Sequence, residues 1–205
     1  MKKLAVLGAS GHGKVVADTA ECCGWTSIEF FDDSLAGHNN GFWPIVGDTP
    51  SLLARLADFD GVIVAIGDNR IRHAKLLVLH AAGARLVSLI HPAASVSRYA
   101  FVGEGSVVFA GAVVNADARL GWGAILNTGC SVDHDCLLGA CVHISPGSHL
   151  AGGVKVGDFS WIGIGASVRQ LASIGSGVMV GCGAAVVTDL ADDVTVVGVP
   201  ARVLN

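Results

Sequence analysis

The sequence of 205 residues is poor in several features that mark particular classes of protein. Aromatic residues make up 6% of it and charged residues 15%, and its net charge is −4 without any cluster of lysine and arginine. We therefore expect no nucleic-acid partner, because nucleic acids select basic surfaces. The first apolar run stops at Gly8, too short for the apolar core of a signal peptide, and no segment is long enough to insert stably across a membrane.

The six cysteines lack the paired spacing of a metal site. Cys22 and Cys23 are neighbours on a predicted helix, while Cys130 and Cys136 fall at positions that we expect to point into a core. Reduced thiols without an evident targeting segment predict a cytoplasmic protein.

A repeat of six residues dominates the second half of the sequence. From Ile90 to Val186 every sixth residue is a medium-sized aliphatic, and four residues after each comes Ala, Ser, Cys or Val. A period of six fits neither a helix nor a hairpin meander and is typical of a hexapeptide-repeat parallel β-helix. Three hexapeptides form one triangular coil of about eighteen residues, so the run predicts roughly five coils.

Glycine often follows the inward aliphatic residue, as at Gly103, Gly121 and Gly139. We expect the chain to bend tightly at these positions, where a Cβ would be costly. The phase is unbroken before Thr188, which leaves no loop to wall off a groove. Any groove must then be built from corner residues and from another subunit.

The first ninety residues lack the sixfold pattern and alternate between strands and helices. This alternation predicts a small parallel sheet covered by helices, and hence domains at 1–88 and 89–205. The predicted strands are 4–7, 28–31 and 61–66, and the predicted helices end near residue 23 or span 51–57 and 70–82.

A glycine-rich loop runs from Gly8 to Lys14, at the carboxyl end of the first strand and the start of a helix. Such a helix start attracts phosphate. The spacing G-x-x-G-x-G does not match the dinucleotide fingerprint, and Val15 stands where a nucleotide triphosphatase has Ser or Thr for magnesium. A plain tight turn is the alternative. Asp32 and Asp33, about twenty residues on, favour a ligand because an acid there can bond ribose or base.

His134 is the residue best placed for chemistry. It lies two residues after the inward Val132 and between Asp133 and Asp135, so we expect an outward imidazole held beside an acid. Such a group can remove one proton from a nucleophile. Neighbouring residues of a strand point to opposite faces, so Asp135 reaches the imidazole only if the chain turns there. A solvated surface histidine is the alternative.

Zinc is not expected within one chain. His134, His143 and His149 are nine and six residues apart, which places them at different corners of the coil, whereas zinc ligands must converge on one ion. A carbonic-anhydrase-like activity is therefore disfavoured, although a metal between subunits stays open. Trp122 and Trp161 fall outside the inward series and are interpreted as subunit contacts.

Several segments together resemble a known family, the sialic-acid O-acetyltransferase-like sugar acetyltransferases. The likeness is strongest to the UDP-4-amino-sugar N-acetyltransferases of bacterial bacillosamine synthesis, and it covers essentially the whole chain. It implies a small α/β Rossmann-like domain that binds a nucleotide sugar, then a left-handed parallel β-helix that binds acetyl-CoA, assembled as a homotrimer. The segments that carry it are residues 8–13, 31–33, 65–72, 127–128, 132–136, 143–147 and 198–202.

The resemblance also assigns roles to individual residues. It implies that His134 is the catalytic base, that Asp135 raises its basicity, and that Asn127 lies near the reacting groups. His143, Ile164 and Cys182 match positions that contact acetyl-CoA. The residues implied for the sugar nucleotide are Ser10, Gly11, His12, Asp32, Asp33, Ile66 and Gly67.

The implied reaction is transfer of acetyl from acetyl-CoA to the C4 amine of a UDP-4-amino-4,6-dideoxy sugar, by direct attack and without a metal. Three alternatives stay open. They are O-acetylation of sialic acid or another sugar, N-acetylation of a GDP-amino sugar such as perosamine, and a scaffold that binds a nucleotide sugar without catalysis. The segment around His134 argues against the scaffold, which has no need of a base.

Overall fold

The computed structural model describes residues 2–35 and 37–204. The chain divides into two compact units, one that ends at Pro92 and one that begins at Ala93. The order predicted from the sequence is confirmed, because an α/β unit precedes a parallel β-helix. In the described residues no helix is long and apolar enough to cross a membrane.

The first unit contains a five-stranded sheet with the order β3-β4-β2-β1-β5. Neighbouring strands run parallel, except that β3 and β4 form an antiparallel pair. The helices are α1 (Gly11–Cys22), α2 (Thr49–Ala54) and α3 (Asn69–Ala81), and a 3-10 turn spans Leu56–Asp58. The strands are β1 (Lys3–Leu7), β2 (Ser27–Phe31), β3 (Asn39–Asn40), β4 (Trp43–Gly47) and β5 (Gly61–Val64).

Local sequence explains where these elements begin. β1 and β5 are continuous apolar runs because both faces of a parallel sheet are buried. Asp48 caps α2 by accepting from the Ser51 N–H, and Asp68 caps α3 by accepting from the Arg70 and Ile71 N–H groups. The β3–β4 hairpin was not predicted, since a two-residue strand leaves no alternating pattern.

The second unit has a two-residue strand at each position that the sixfold period predicts, up to Val186. Residues eighteen apart pair in register, as Val114 does with Val132. The regular register ends after Val186, because Ile174 bridges Leu190. β6 (Leu89–Ile90) closes the first unit, and the strands that follow are β7 (Ser95–Val96), β8 (Phe101–Val102), β9 (Val107–Val108), β10 (Val113–Val114), β11 (Arg119–Leu120), β12 (Ile125–Leu126), β13 (Ser131–Val132), β14 (Leu137–Leu138), β15 (His143–Ile144), β16 (His149–Leu150), β17 (Lys155–Val156), β18 (Trp161–Ile162), β19 (Ser167–Val168), β20 (Ser173–Ile174), β21 (Met179–Val180), β22 (Ala185–Val186), β23 (Thr195–Val197) and β24 (Arg202–Val203).

These strands form three faces of a triangular coil. The first face contains β7, β10, β13, β16, β19 and β22, and the second contains β8, β11, β14, β17 and β20. The third contains β9, β12, β15, β18, β21 and β23, with β24 antiparallel at its end.

The core of the coil is the inward aliphatic series together with the small residues. Leu126 and Ile144 are fully buried, so Leu126→Ala would cost roughly 2–5 kcal/mol of stability. Cys130 and Cys136 are buried as predicted. Burial raises the pKa of the Cys130 thiol to about 12, which keeps it protonated and unreactive.

The glycines that follow the aliphatic residues leave room for the next coil rather than forming the bend. Positive φ angles occur three residues after the aliphatic residue, as at Gly129 and Asp135. At Gly103 the reason for glycine is close packing, because a Cβ there would lie 2.6 Å from the carbonyl of Gly121 in the next coil. The positive φ angles thus come two residues later than the expected bend, whereas the expected cost of a Cβ at these glycines is confirmed.

Candidate active site

A pocket of about 270 Å³ lies at the carboxyl ends of β1, β2 and β5, where parallel sheets bind ligands. The structure brings most of the residues predicted for the sugar nucleotide to this pocket. Gly11 and His12 are not among the lining residues. Those that line it are Ser10, Asp32, Asp33, Ile66 and Gly67.

The start of α1 provides a place for phosphate beside this pocket. Gly8 has a φ of +112°, and a Cβ on it would lie 2.7 Å from the carbonyl oxygen of Ala65. The first turn of α1 contains no acidic residue, so no side chain of that turn neutralises the positive end of the helix. Space is open around Gly11 and Gly67, where an added Cβ would meet no atom within 4 Å. A phosphate group fits this combination of charge and space.

The carboxylates of Asp32 and Asp33 both have partners within the protein. Asp32 accepts from the Ala9 N–H at 2.8 Å, which fixes the glycine loop to the end of β2. Asp33 forms an ion pair of 2.6 Å with Lys75, and the hydrogen bond from that ammonium lowers the pKa of Asp33 to about 2. Lys75 thus carries a cation to the pocket wall. The sequence analysis missed it, because α3 supplies it 42 residues after Asp33.

Arg72 anchors the segment that follows β5. It is 1% exposed, and its guanidinium donates to the carbonyl oxygens of Ile66 at 2.9 Å and Gly67 at 3.0 Å. Burial, and next the charge of Arg72, lower the pKa of His12 to about 4. His12 is therefore neutral at pH 7, so that its polar contact to any ligand is that of an uncharged imidazole.

A second pocket, of about 490 Å³, runs along the edge of the coil between the third face and the corner that follows it. We call it the coil groove. The structure brings Asn127 together here with the three residues predicted to contact acetyl-CoA, His143, Ile164 and Cys182. Residues eighteen apart line it, so its walls run along the axis of the coil. They include Trp161 and Met179, which the sequence analysis did not assign to a ligand site.

Side-chain contacts make one wall of the coil groove rigid. His143 is 5% exposed and stacks on Trp161, with ring centroids 4.3 Å apart. The Trp161 Nε1–H donates to Ser145 Oγ at 2.7 Å. Asn127 Oδ1 accepts from the Thr128 N–H, which turns its Nδ2 towards His143 Nε2 at 3.3 Å. The result is a flat, mostly apolar wall with one amide at its end.

His134 lies on an exposed corner, as predicted. Asp135 has a φ of +60°, so the chain turns there and its carboxylate meets His134 Nδ1 at 2.7 Å. Since a carboxylate only accepts, Nδ1 carries the hydrogen and Nε2 keeps a free lone pair. The bond to Asp135 and then the charge of Asp133 raise the pKa of His134. These are the properties of a general base.

His134 and the coil groove lie on different corners of one chain. His134 follows β13 of the first face, whereas the coil groove adjoins β15 and β18 of the third face. The whole first face separates them. The described residues contain no group of three metal-ligating side chains, and His149 instead bonds to Ser131 Oγ at 2.9 Å.

The sequence matches a family model over its first unit and a curated relative over about half its length. Residues 3–76 match the model of the PglD N-terminal domain family. The curated UDP-N-acetylbacillosamine N-acetyltransferase of Bacillus subtilis (strain 168) is 36% identical over 113 residues, or 54% of this chain and 52% of that protein. The alignment thus spans about half the length of this curated relative.

Two solved structures match along the whole chain. The acetyltransferase domain of PglB from Neisseria gonorrhoeae FA1090, in complex with acetyl coenzyme A, is 49% identical with a TM-score of 0.95, and 99% of each chain is covered. A variant of perosamine N-acetyltransferase from Caulobacter crescentus, in complex with CoA and GDP-perosamine, is 41% identical with a TM-score of 0.96. That match covers 100% of this chain and 98% of the other.

Proposed function

The chain belongs to the family of hexapeptide-repeat sugar acetyltransferases with a PglD-type N-terminal domain, and we propose that it transfers acetyl from acetyl-CoA to an amine of a nucleotide-linked sugar. The observation that carries this proposal is the coil groove, where His143, Ile164, Cys182 and Asn127 lie together as an acetyl-CoA site requires. The relatives with CoA or acetyl-CoA bound share the fold over the full chain.

The acceptor we propose is the C4 amine of a UDP-4-amino-4,6-dideoxy sugar. The curated relative is named for a UDP-linked amino sugar, and the pocket of the first unit supplies a helix start for phosphate. A GDP-amino sugar is the second candidate, because the Caulobacter relative binds GDP-perosamine. Both place the nucleotide beside Asp32, Asp33 and Lys75, and both present an amine to acetyl-CoA.

The proposed mechanism is direct attack. The neutral amine attacks the thioester carbonyl, a C–N bond forms, and the C–S bond breaks to release CoA. His134 Nε2 accepts the proton of the amine and can return it to the departing sulfur, while Asp135 stabilises the imidazolium. Backbone N–H groups at the corner of the coil would hold the oxyanion. No metal takes part in this scheme.

We propose a homotrimer as the active form. Since His134 and the coil groove lie on different corners, a base from one copy must act on acetyl-CoA in the groove of the next, and three such contacts close a ring. The first face would then look towards the threefold axis. Its outward residues include Ser131, Ser167 and Ala185 and no lysine, arginine or acid, whereas the second face presents Arg119 and Lys155. Apart from His149, these outward side chains are short, which allows the close approach that an axis requires.

CoA release from acetyl-CoA tests the function. The purified protein would be assayed with a UDP-4-amino-4,6-dideoxy sugar, with GDP-perosamine and with sialic acid. Fast release with either amino sugar supports the N-acetyltransferase and names the nucleotide. Release with sialic acid alone would replace it by O-acetylation, and tight acetyl-CoA binding without release on any acceptor would favour the scaffold.

A further inference from the structure

Gly152 lies directly beside the proposed catalytic base, in the next coil. It is eighteen residues after His134, and a Cβ built on it would lie 2.5 Å from His134 Cε1 and 2.6 Å from Nε2. Atoms cannot approach so closely, so any side chain at 152 would displace the imidazole. The ring therefore occupies the volume that a side chain would take.

The backbone itself does not require glycine at this position. Gly152 has no positive φ, and the corresponding position in other hexapeptides, two residues after the inward aliphatic, holds many residue types. Alanine occupies it at Ala110, Ala116 and Ala140, and glycine occurs there at 152 alone between residues 98 and 188. The coil thus accepts a Cβ at this position wherever no imidazole lies against it.

The preceding coil holds the same histidine from the other side. Asp133 Oδ1 accepts from the backbone N–H of His134 at 2.8 Å and from Asn115 Nδ2 at 2.8 Å. Asn115 lies eighteen residues before Asp133, so its amide ties the backbone of His134 to the coil below. These bonds also lower the pKa of Asp133, which keeps its charge beside the imidazole.

We propose that Gly152 and Asn115 are positioning residues that set the direction of the His134 imidazole from the two adjacent coils. This inference rests on the proposed role of His134 as base. Asp135 fixes one end of the ring through Nδ1, Gly152 leaves space for its Cε1–Nε2 edge, and Asn115 holds its backbone through Asp133. Together they determine where Nε2 lies. Of the two, Gly152 has the larger effect, because a Cβ there moves the ring itself.

The test is Gly152→Ala, with Gln170→Ala as the matched control at the same corner one coil further on. We expect Gly152→Ala to lower kcat on the order of 10²-fold, since a shift of about 1 Å in a reacting group has that effect. KM for both substrates and the melting temperature stay close to wild type. Asn115→Ala gives a smaller loss of kcat, and Gln170→Ala leaves kcat unchanged.

A double variant separates positioning from a general defect. If Gly152 acts through His134, then adding Gly152→Ala to His134→Ala lowers the residual rate no further. An equal loss in both backgrounds, or a normal kcat in Gly152→Ala, would overturn the inference.

NMR titration of the His134 imidazole provides a readout that does not depend on turnover. A fall of its pKa in Gly152→Ala, without a change in Gln170→Ala, supports the positioning role even if no amino sugar is acetylated. An unchanged titration in Gly152→Ala would contradict it, whatever the activity.

Discussion

Two positions of the same coil carry opposite kinds of histidine. His143, beside the coil groove, is buried against Trp161 in a mostly apolar wall. His134, eighteen residues before Gly152, is exposed and lies between two acids that raise its pKa. His143 lies in a strand of the third face, whereas His134 lies at the corner after the first face, so both the backbone position and the neighbouring side chains differ. We expect a wall that binds a ligand to be buried and a base that serves a neighbouring copy to be exposed.

The largest expected effect comes from removing the base. His134→Ala should lower kcat by roughly 10² to 10⁴-fold, the usual contribution of a general base, and should leave acetyl-CoA binding unchanged because the coil groove is intact. Steady-state kinetics and calorimetric titration measure the two quantities. His38→Ala, an exposed histidine of the first unit, is the control. A variant with near-normal kcat would show that His134 is a solvated surface residue.

The next prediction concerns which face of the coil lies at the threefold axis. Ser167→Arg places a charged side chain on the first face and should dissociate the proposed trimer, with activity falling in proportion to the monomer fraction. Ser173→Arg makes the same change on the exposed second face of the same coil and should stay trimeric. Light scattering beside the activity assay measures both. If only Ser173→Arg dissociated the trimer, the threefold axis would lie at the second face and not at the first.

Trp161→Ala should damage the coil groove and leave His134 unchanged. Trp161 is part of the groove wall, so its removal takes apolar contact from the ligand, and we expect acetyl-CoA affinity to fall roughly tenfold, or about 1.4 kcal/mol. The pH profile should keep its wild-type form, since His134 is unaffected. Trp122→Ala, outside the coil groove, serves as control. An unchanged affinity in Trp161→Ala would remove the coil groove as the acetyl-CoA site.

The smallest effect is a shift of the pH profile. The base must be unprotonated, so kcat/KM rises with pH through the raised pKa of His134. Asp135→Asn removes the main cause of that raised value, so the acid limb should move to lower pH, while the plateau falls because the imidazole loses its partner. A limb that moves to higher pH, or does not move, would show that Asp135 does not act on His134.

The period of six residues made the coil predictable from the sequence. The first unit has no such period, and the residues that were missed there follow from its packing. Each inward aliphatic residue follows from the period of six, and the grouping of Ile164 with Cys182 follows from their separation of eighteen residues, which is one coil. Gly152 could have been found in the same way, because it lies one coil after His134. Lys75 and Arg72 could not, since their contacts with β2 and β5 depend on how α3 packs on a sheet that has no repeat.

In the proposed active site, one copy supplies His134 and its neighbour supplies the coil groove. The most direct test combines His134→Ala with Ile164→Arg, a variant that fills the coil groove, by refolding the two inactive proteins together in equal amounts. In a closed threefold ring each mixed trimer has one junction with an intact base and an intact groove, so about a quarter of wild-type activity should return. If the mixture stays as inactive as its components, the active site lies within a single chain and the account is wrong.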